Sequence, residues 1–397
     1  MNYIVEKERK VPVVNEVDVL VAGGGFAGVS AALAAARQGK KVLLCQKEYL
    51  LGGLGTAGLV TIYLPLCDGR GNQVSYGIVE ELFHLSIRGG IEGKKDPTPW
   101  LREGTKEERI ANRFQAQYNP WLFAADLEQL LVKEGVELLY GTLVCDAVVE
   151  DGKIRYIILE NIDGRTAVKV GSVVDATGDA VVCHAAGEET RGCFYGNVPS
   201  SWYYFYSEGK VQLRMFGPSY LPDKGQGWPR FGGLNAKENT EMMIYGRNRM
   251  IQDIEEKRET APDTIPVAVS TIQDLRMTRQ VAGVGMVRIE DGDKYIESSV
   301  GCFGNWHKAG PAYELPYESL YGPKIKNLIT AGRCSAADMD AWDLTRVIPV
   351  CAVSGEAAGV AAALTDDFAS LPVKQLQDAL VAKGVKLHLK DMIPELN

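Results

Sequence analysis

Two hydrophobic textures alternate along the chain. Residues 17–22 form a short valine-rich run, the pattern of a strand buried on both faces. An alanine-rich segment, residues 29–37, follows with strong helix propensity and small side chains, and residues 41–45 read as a second buried strand. Residues 76–88 have the spacing of an amphipathic helix, ended by Gly89 and Gly90. Residues 91–117 are charged and irregular, which suits a surface excursion. Residues 120–134 predict a helix: Asn119 can cap it, Pro120 suits its first turn, and Leu127, Leu130 and Leu131 supply the buried stripe. Strands are expected at 136–140 and 143–150. Turns at Asp151–Gly152 and Asp163–Gly164 then lead into strands at 153–161 and 166–170, an antiparallel meander. A brief buried strand at 173–175 and a short helix at 181–187 follow.

The texture changes from Glu188 to about Pro323. Aromatic residues gather at 202–206 and recur at Trp228, Phe231, Trp306 and Tyr313. They suit either a substrate pocket or a sheet core, and for any single aromatic the core is the commoner role. A helix with a charged face is expected within 235–260, and residues 274–284 read as a helix or a strand end. The first texture returns at 327–331, a strand broken by Gly332, and at 349–364, a helix opened by Pro349 with a small face from Gly355 and Gly359. Residues 371–384 form a final helix. A chain of 397 residues exceeds one ordinary core. The pattern therefore predicts a discontinuous α/β domain, residues 1–190 and 324–397, plus a second α+β substrate or cap domain, residues 191–323.

Charge and composition narrow the function. The formal net charge is −8, with no basic stripe, which argues against nucleic acid or an anionic membrane as the main partner. No apolar run is long enough to span a bilayer, and the first residues lack the apolar core of a signal peptide, so the cytoplasm is the expected compartment. The eight cysteines include no C-x-x-C pair, and neither they nor the four histidines have metal-ligand spacing, so no metal is expected.

The chemistry lies in the glycines. Between the first strand and the first helix, Gly23, Gly25 and Gly28 stand at the spacing G-x-G-x-x-G. The first permits a tight turn, the second lets a pyrophosphate approach bare backbone, and the third lets the helix pack closely on the sheet. Strand before, helix after and second strand beyond give the motif the context of a Rossmann-like dinucleotide site. Gln46 stands where an acidic ribose ligand is usual, and Glu48 is two residues on. A second glycine-rich run carries Gly52, Gly53 and Thr56, and the strand at 173–175 ends in the small-residue turn Ala176, Thr177, Gly178, Asp179. No second dinucleotide motif follows, nor a redox-active C-x-x-x-x-C pair.

Taken together, GGGFAG, LGGLGTAG, VVDATGD and ITAGR with TRVIPVCAVSGEAAGVAAAL resemble the FAD-dependent oxidoreductases of the glutathione-reductase-like class. Within it, the chain is similar to the bacterial FAD-dependent oxidoreductase family related to the flavoprotein component of heterodisulfide reductase. The resemblance implies non-covalent FAD, with Gly23, Gly25 and Gly28 at the pyrophosphate and Gln46 at the adenosine ribose. It places Gly52, Gly53 and Thr56 near the pyrophosphate and flavin edge, and Val144 at adenine. It further places Ala176, Thr177, Gly178 and Asp179 beside the pyrophosphate, Gly332 and Arg333 near the ribityl chain, and the helix from Pro349 at the flavin pyrimidine. Candidate catalytic residues are Arg346, His307, Arg279 and Cys67. The expected activity is hydride or electron transfer with a small organic substrate. Alternatives are an electron-transfer flavoprotein serving an iron–sulfur partner protein, and a non-catalytic dinucleotide-binding module.

Overall fold

The computed structural model describes residues 4–5, 8–217 and 227–396. Of the polar lead-in, residues 1–3 and 6–7 lie outside the described residues, as do residues 218–226 of the expected second domain. Strand β1 (Val13–Ala22) starts four residues before its valine run, exposed at first and wholly buried from Val19 onward. Helix α1 (Phe26–Ala36) and strand β2 (Val42–Cys45) follow, and β1 and β2 pair in parallel with Val19 opposite Val42. Helix α2 (Ile78–Ser86) comes next. Helix α3 (Pro120–Lys133) is capped as expected: the Leu122 N–H donates to Asn119 Oδ1 at 3.0 Å. Strands β3 (Glu137–Leu139), β4 (Leu143–Glu150), β5 (Lys153–Asn161) and β6 (Gly164–Asp175) succeed it.

The excursion at 91–117 is more ordered than its charge suggests, with short helices at Thr98–Leu101 and Lys106–Ala111. The second is opened by a capping box between Thr105 and Glu108, a signal present in the sequence as T-x-x-E. Farther on, β7 (Tyr203–Ser207), β8 (Lys210–Arg214) and, after helix α4 (Ala236–Arg258), β9 (Ile265–Val269) form an antiparallel sheet in the order β8-β7-β9. Residues 274–284 contribute a strand at Arg279–Val281 rather than a helix. The chain then returns through β10 (Leu328–Thr330), helix α5 (Met339–Thr345) and helix α6 (Ile348–Leu364). Asp338 caps α5 by accepting from the Ala341 N–H at 2.7 Å.

The main sheet runs β3-β2-β1-β6-β5-β4, with β10 also paired to β6. Residues 166–170 and 173–175 are not separate strands but parts of β6, continuous over 12 residues. Its length serves two neighbours on one side: residues 164–169 pair antiparallel with β5, and residues 173–175 pair parallel with β10. Gly171 does not break the strand; a Cβ there would stand 2.7 Å from the Asp18 carbonyl oxygen, so glycine permits the approach of β1. Val19, Val21, Leu44 and Val174 face the core beneath α1 and α6, while Leu20, Leu43 and Val173 pack with Ile157, Val182 and Cys183 on the other face.

Helices α1 and α6 run side by side in the same direction, almost wholly buried. Added Cβ atoms at Gly355 and Gly359 would meet the Ala27 and Ala31 carbonyl oxygens at 2.3 and 2.2 Å. Among the described residues no single helix is long and apolar enough to cross a membrane; only α5 and α6 together would be, and they bend by 88°.

Glu356 is a charged-type residue inside this packing, 3% exposed. Its Oε2 accepts from the Ile78 N–H at 2.8 Å, at the start of α2. Burial pushes its carboxyl up to about 8, partly opposed by the Ile78 bond. Because the folded pKa lies above the unfolded value of about 4.3, the stabilisation is complete below that pH. It is lost as pH rises toward about 8, at up to ~1.4 kcal/mol per pH unit. Glu356→Gln keeps an acceptor for Ile78 and removes the titration. Urea unfolding across this range should show the wild type losing stability relative to the variant; parallel profiles would mean that the carboxylate is solvated.

Candidate functional site

Strands β1, β2, β6 and β10 end at one cleft that opens to solvent. This is the edge at which open α/β sheets bind ligands. The turns after those strands build its wall backbone against backbone. Gly23, at φ +100°, turns the chain out of β1, and a Cβ on it would stand 2.6 Å from the Ala176 carbonyl oxygen. At Gly28 a Cβ would lie 1.8 Å from the Gly23 carbonyl oxygen, so α1 starts hard against the turn. The second glycine run lies alongside: the Gly52 N–H donates to the Gly24 carbonyl at 2.8 Å. Gly25 differs from all of these. Its φ of −71° is open to any residue, and a Cβ there would meet nothing within 4 Å. The protein itself does not require glycine at this position; the space in front of it belongs to the cleft.

Polar side chains brace these turns. Gln46 accepts from the Gly24 N–H at 3.0 Å and donates to the Leu50 carbonyl at 3.3 Å, yet it also lines the cleft with Lys47 and Glu48. Buried Asp175 shapes the turn after β6, accepting from the Thr177 hydroxyl at 2.6 Å and the Cys183 N–H at 2.9 Å. Arg333 donates to the Gly178 carbonyl at 2.5 Å, the Leu275 carbonyl at 2.6 Å and Asp179 at 2.7 Å. Burial works to raise the Asp179 carboxyl, but the Arg333 charge and the Thr278 hydroxyl hold it below the usual carboxylate range. Arg333 therefore ties three chain segments together at the cleft.

At the other end of the cleft stands Arg346, just before α6. Its Nε donates to Asp343 Oδ1 at 2.8 Å and a terminal nitrogen to the same oxygen at 2.5 Å. Asp343 Oδ2 lies 2.6 Å from His307 Nε2. Burial acts to raise the Asp343 carboxyl, and Arg346 and His307 overcome it, holding the group below its ordinary range. Ile348 and Cys351, from the first turn of α6, line the same end. Burial pushes the Cys351 thiol up to about 11, so near neutral pH it stays protonated and is a poor nucleophile.

Of the residues expected from sequence, Gly23, Gly25, Gln46, Gly52, Gly53, Ala176, Thr177, Gly178, Asp179, Gly332, Arg333 and Arg346 line the cleft. Gly28, Thr56 and Pro349 lie directly behind it, within segments that form the wall. His307 reaches it only through Asp343, and Arg279 donates to the Asp179 carbonyl at 2.9 Å from outside the lining. Val144, paired with Leu159 in the sheet, is outside the lining. So is Cys67, a buried thiol pushed up by burial that accepts from the Phe114 N–H at 3.4 Å. Sequence reasoning missed Arg276, Asp343, Ile272, Leu275 and Cys351. For Asp343 a signal existed: it precedes Arg346 by three positions, the spacing of neighbours on a helix.

Comparison with known proteins agrees with this geometry. Residues 18–196 and 245–380 match the FAD dependent oxidoreductase family. The tRNA uridine 5-carboxymethylaminomethyl modification enzyme MnmG of Lactobacillus delbrueckii subsp. bulgaricus is 30% identical over 175 residues, 43% of this chain. That of Clostridium botulinum is 28% identical over 145 residues, 36% of this chain. The matched parts span only 25% and 22% of those relatives. Among solved structures, a geranylgeranyl bacteriochlorophyll reductase-like protein of Thermoplasma acidophilum aligns with a TM-score of 0.47 and 15% identity over 96% of this chain and 95% of that one. L-proline dehydrogenase from P. horikoshii gives 0.42 and 12%, over 94% and 100%. At such scores these likenesses carry no further argument. The match over most of its length shows that the chain belongs to the FAD dependent oxidoreductase family.

Proposed function

We propose that this FAD-dependent oxidoreductase holds its FAD non-covalently and acts on a small organic substrate. The observation that carries the reading is the open space at Gly25, framed by turns that need glycine for the protein's own packing. Bound FAD supplies hydride or electron transfer; the protein supplies binding, orientation and electrostatics. The start of α1, which has no side-chain cap, offers backbone N–H donors to a pyrophosphate. Arg333 holds the turn at Gly178 and Asp179 in shape, and Asp343 fixes Arg346 at the other end. Ile272, Leu275 and Ile348 supply apolar wall that limits water there.

The partner in this reading is a small molecule rather than nucleic acid or a membrane, and the compartment is the cytoplasm. A net charge of −8 supports the choice of partner. The tRNA chemistry in the relatives' name is not carried over, because the match spans about a quarter of their length. Kinship with the flavoprotein component of heterodisulfide reductase rests on the motif set and would make a redox partner protein the electron acceptor.

Two measurements test the reading. The purified protein should be yellow, and acid precipitation should release FAD into the supernatant. Colour left on the pellet would mean a covalent link, and a colourless protein that FAD cannot reconstitute would end the proposal. Gly25→Ala should leave stability within ~1 kcal/mol, since a poorer helix cap and a less flexible unfolded chain offset each other. FAD affinity, from titration of apoprotein, should fall about tenfold or more, ~1.4 kcal/mol. Unchanged affinity would place the pyrophosphate elsewhere.

A further inference from the structure

Arg276 is a buried cation of the cleft with an incomplete environment. It lines the cleft, yet it is only 7% exposed. Its guanidinium donates to the Val198 carbonyl and to Asp274 Oδ2, both at 3.4 Å. Charge-assisted bonds of buried arginines are normally much shorter, and Arg333 nearby shows it with contacts of 2.5, 2.6 and 2.7 Å. Asp274 Oδ2 also takes the hydroxyl hydrogen of Ser200, so it is shared. The position is built, not incidental. Buried Asn197 accepts from the backbone N–H groups of Arg276 and Met277 at 2.8 and 2.9 Å, and donates to the Met277 carbonyl at 2.7 Å. A buried cation held this loosely is expensive unless a ligand completes it.

Arg346 lines the same cleft. Burial lowers the Arg276 pKa, the Asp274 and Asp343 charges partly restore it, and the Arg346 charge opposes them, so the two cations feel each other. Arg346 uses Nε and one terminal nitrogen on Asp343, and the other terminal nitrogen remains available. The α6 helix starts beside them at Ile348, its positive end adding to the same field. The phosphate-suited start of α1 and the ribose-side Gln46 belong to other turns of the cleft, so the arginine pair stands away from the pyrophosphate and ribose side. A planar guanidinium fork pairs with the two oxygens of a carboxylate as well as with a phosphate, and the phosphate-suited turn of this cleft is the one at α1. The adjacent Ile272 and Leu275 would face an apolar carbon skeleton.

We propose that Arg276 and Arg346 together bind a substrate carboxylate, making this enzyme an oxidoreductase of small organic acids. The inference rests on the small-molecule reading above and gives its substrate a chemical class. Arg276 is the specificity residue, and Arg346, held by Asp343, is its counterpart.

The test compares acids with their uncharged amides: acetate, malonate and benzoate against acetamide, malonamide and benzamide. Binding to the FAD-loaded protein is read by the absorbance of bound flavin and, independently of flavin, by calorimetry. At least one acid should bind tenfold or more tighter than its amide. Arg276→Gln should weaken that acid at least tenfold while FAD affinity stays within twofold. Arg276→Lys, which keeps the charge but not the fork, should give an intermediate loss. Equal binding of every acid and its amide, or acid binding unaffected by both variants, would overturn the proposal. Loss of FAD in Arg276→Gln with acid binding intact would overturn it too, assigning Arg276 to the cofactor. A protein that binds acids through Arg276 but takes up no FAD would uphold the arginine site and defeat the oxidoreductase reading instead.

Discussion

The contact between α1 and α6 is the constraint on which the rest depends. Gly355 and Gly359 leave no room for a side chain over the Ala27 and Ala31 carbonyls, so the two backbones nearly touch. The helices run in the same direction, and both therefore bring their N-termini to the same edge of the sheet. That edge is where β1, β2, β6 and β10 end. Gly332 extends the contact: a Cβ there would lie 2.9 Å from Ala27 Cβ and 3.3 Å from Cys351 Sγ. One close packing thus aligns the phosphate-suited start of α1 with the Arg346 end of the cleft. An alanine in α6 would ordinarily improve helix propensity by ~1 kcal/mol. At Gly359 it would meet a carbonyl at 2.2 Å, and overpacking of that kind costs typically ~1–3 kcal/mol. Steric fit wins over propensity here.

Most of the nucleotide half was legible because its signals are local. The glycine spacing, the caps at Asn119 and the turns at Asp151 and Asp163 all act within a few residues of chain. The misses share a cause as well. Residues 166–170 and 173–175 read as two strands from sequence, and glycine in a strand usually marks a break, yet the reason for Gly171 lies in β1, at the Asp18 carbonyl. The role of Arg276 was invisible because Asn197, which fixes its backbone, is 79 positions away in the chain. Cys67 is a catalytic candidate from sequence, and only its burial makes it part of the core. Distant pairings of this sort leave no periodic trace.

The glycines show how a structure separates two meanings that the sequence leaves merged. Gly23 and Gly28 are needed by the protein, one for its positive φ and both for contacts closer than a Cβ allows. Gly25 is needed by neither dihedral nor neighbour, and its smallness is intelligible only if something else occupies the space. The same test sorts the arginines. Arg333 is fully engaged with its own chain, so its charge holds the architecture. Arg346 is half engaged, and Arg276 hardly at all.

That gradient of engagement also explains the role of Asp343. A buried carboxylate between Arg346 and His307 is stable only because both partners reach it, and its charge in turn holds Arg346 at one position. His307 itself never lines the cleft, so it acts by orienting the carboxylate that orients the arginine. The Trp306 ring lies 5.8 Å from the Arg346 guanidinium carbon, and its indole N–H donates to the Asp343 carbonyl at 3.0 Å. Residues 306 and 307 therefore fix both the side chain and the backbone of the helix turn that presents Arg346. An anion-binding site built on a flexible arginine would lose rotamer entropy on binding. Here that loss is met in folding, and the remaining freedom lies with Arg276, whose bonds are long enough to be exchanged for better ones.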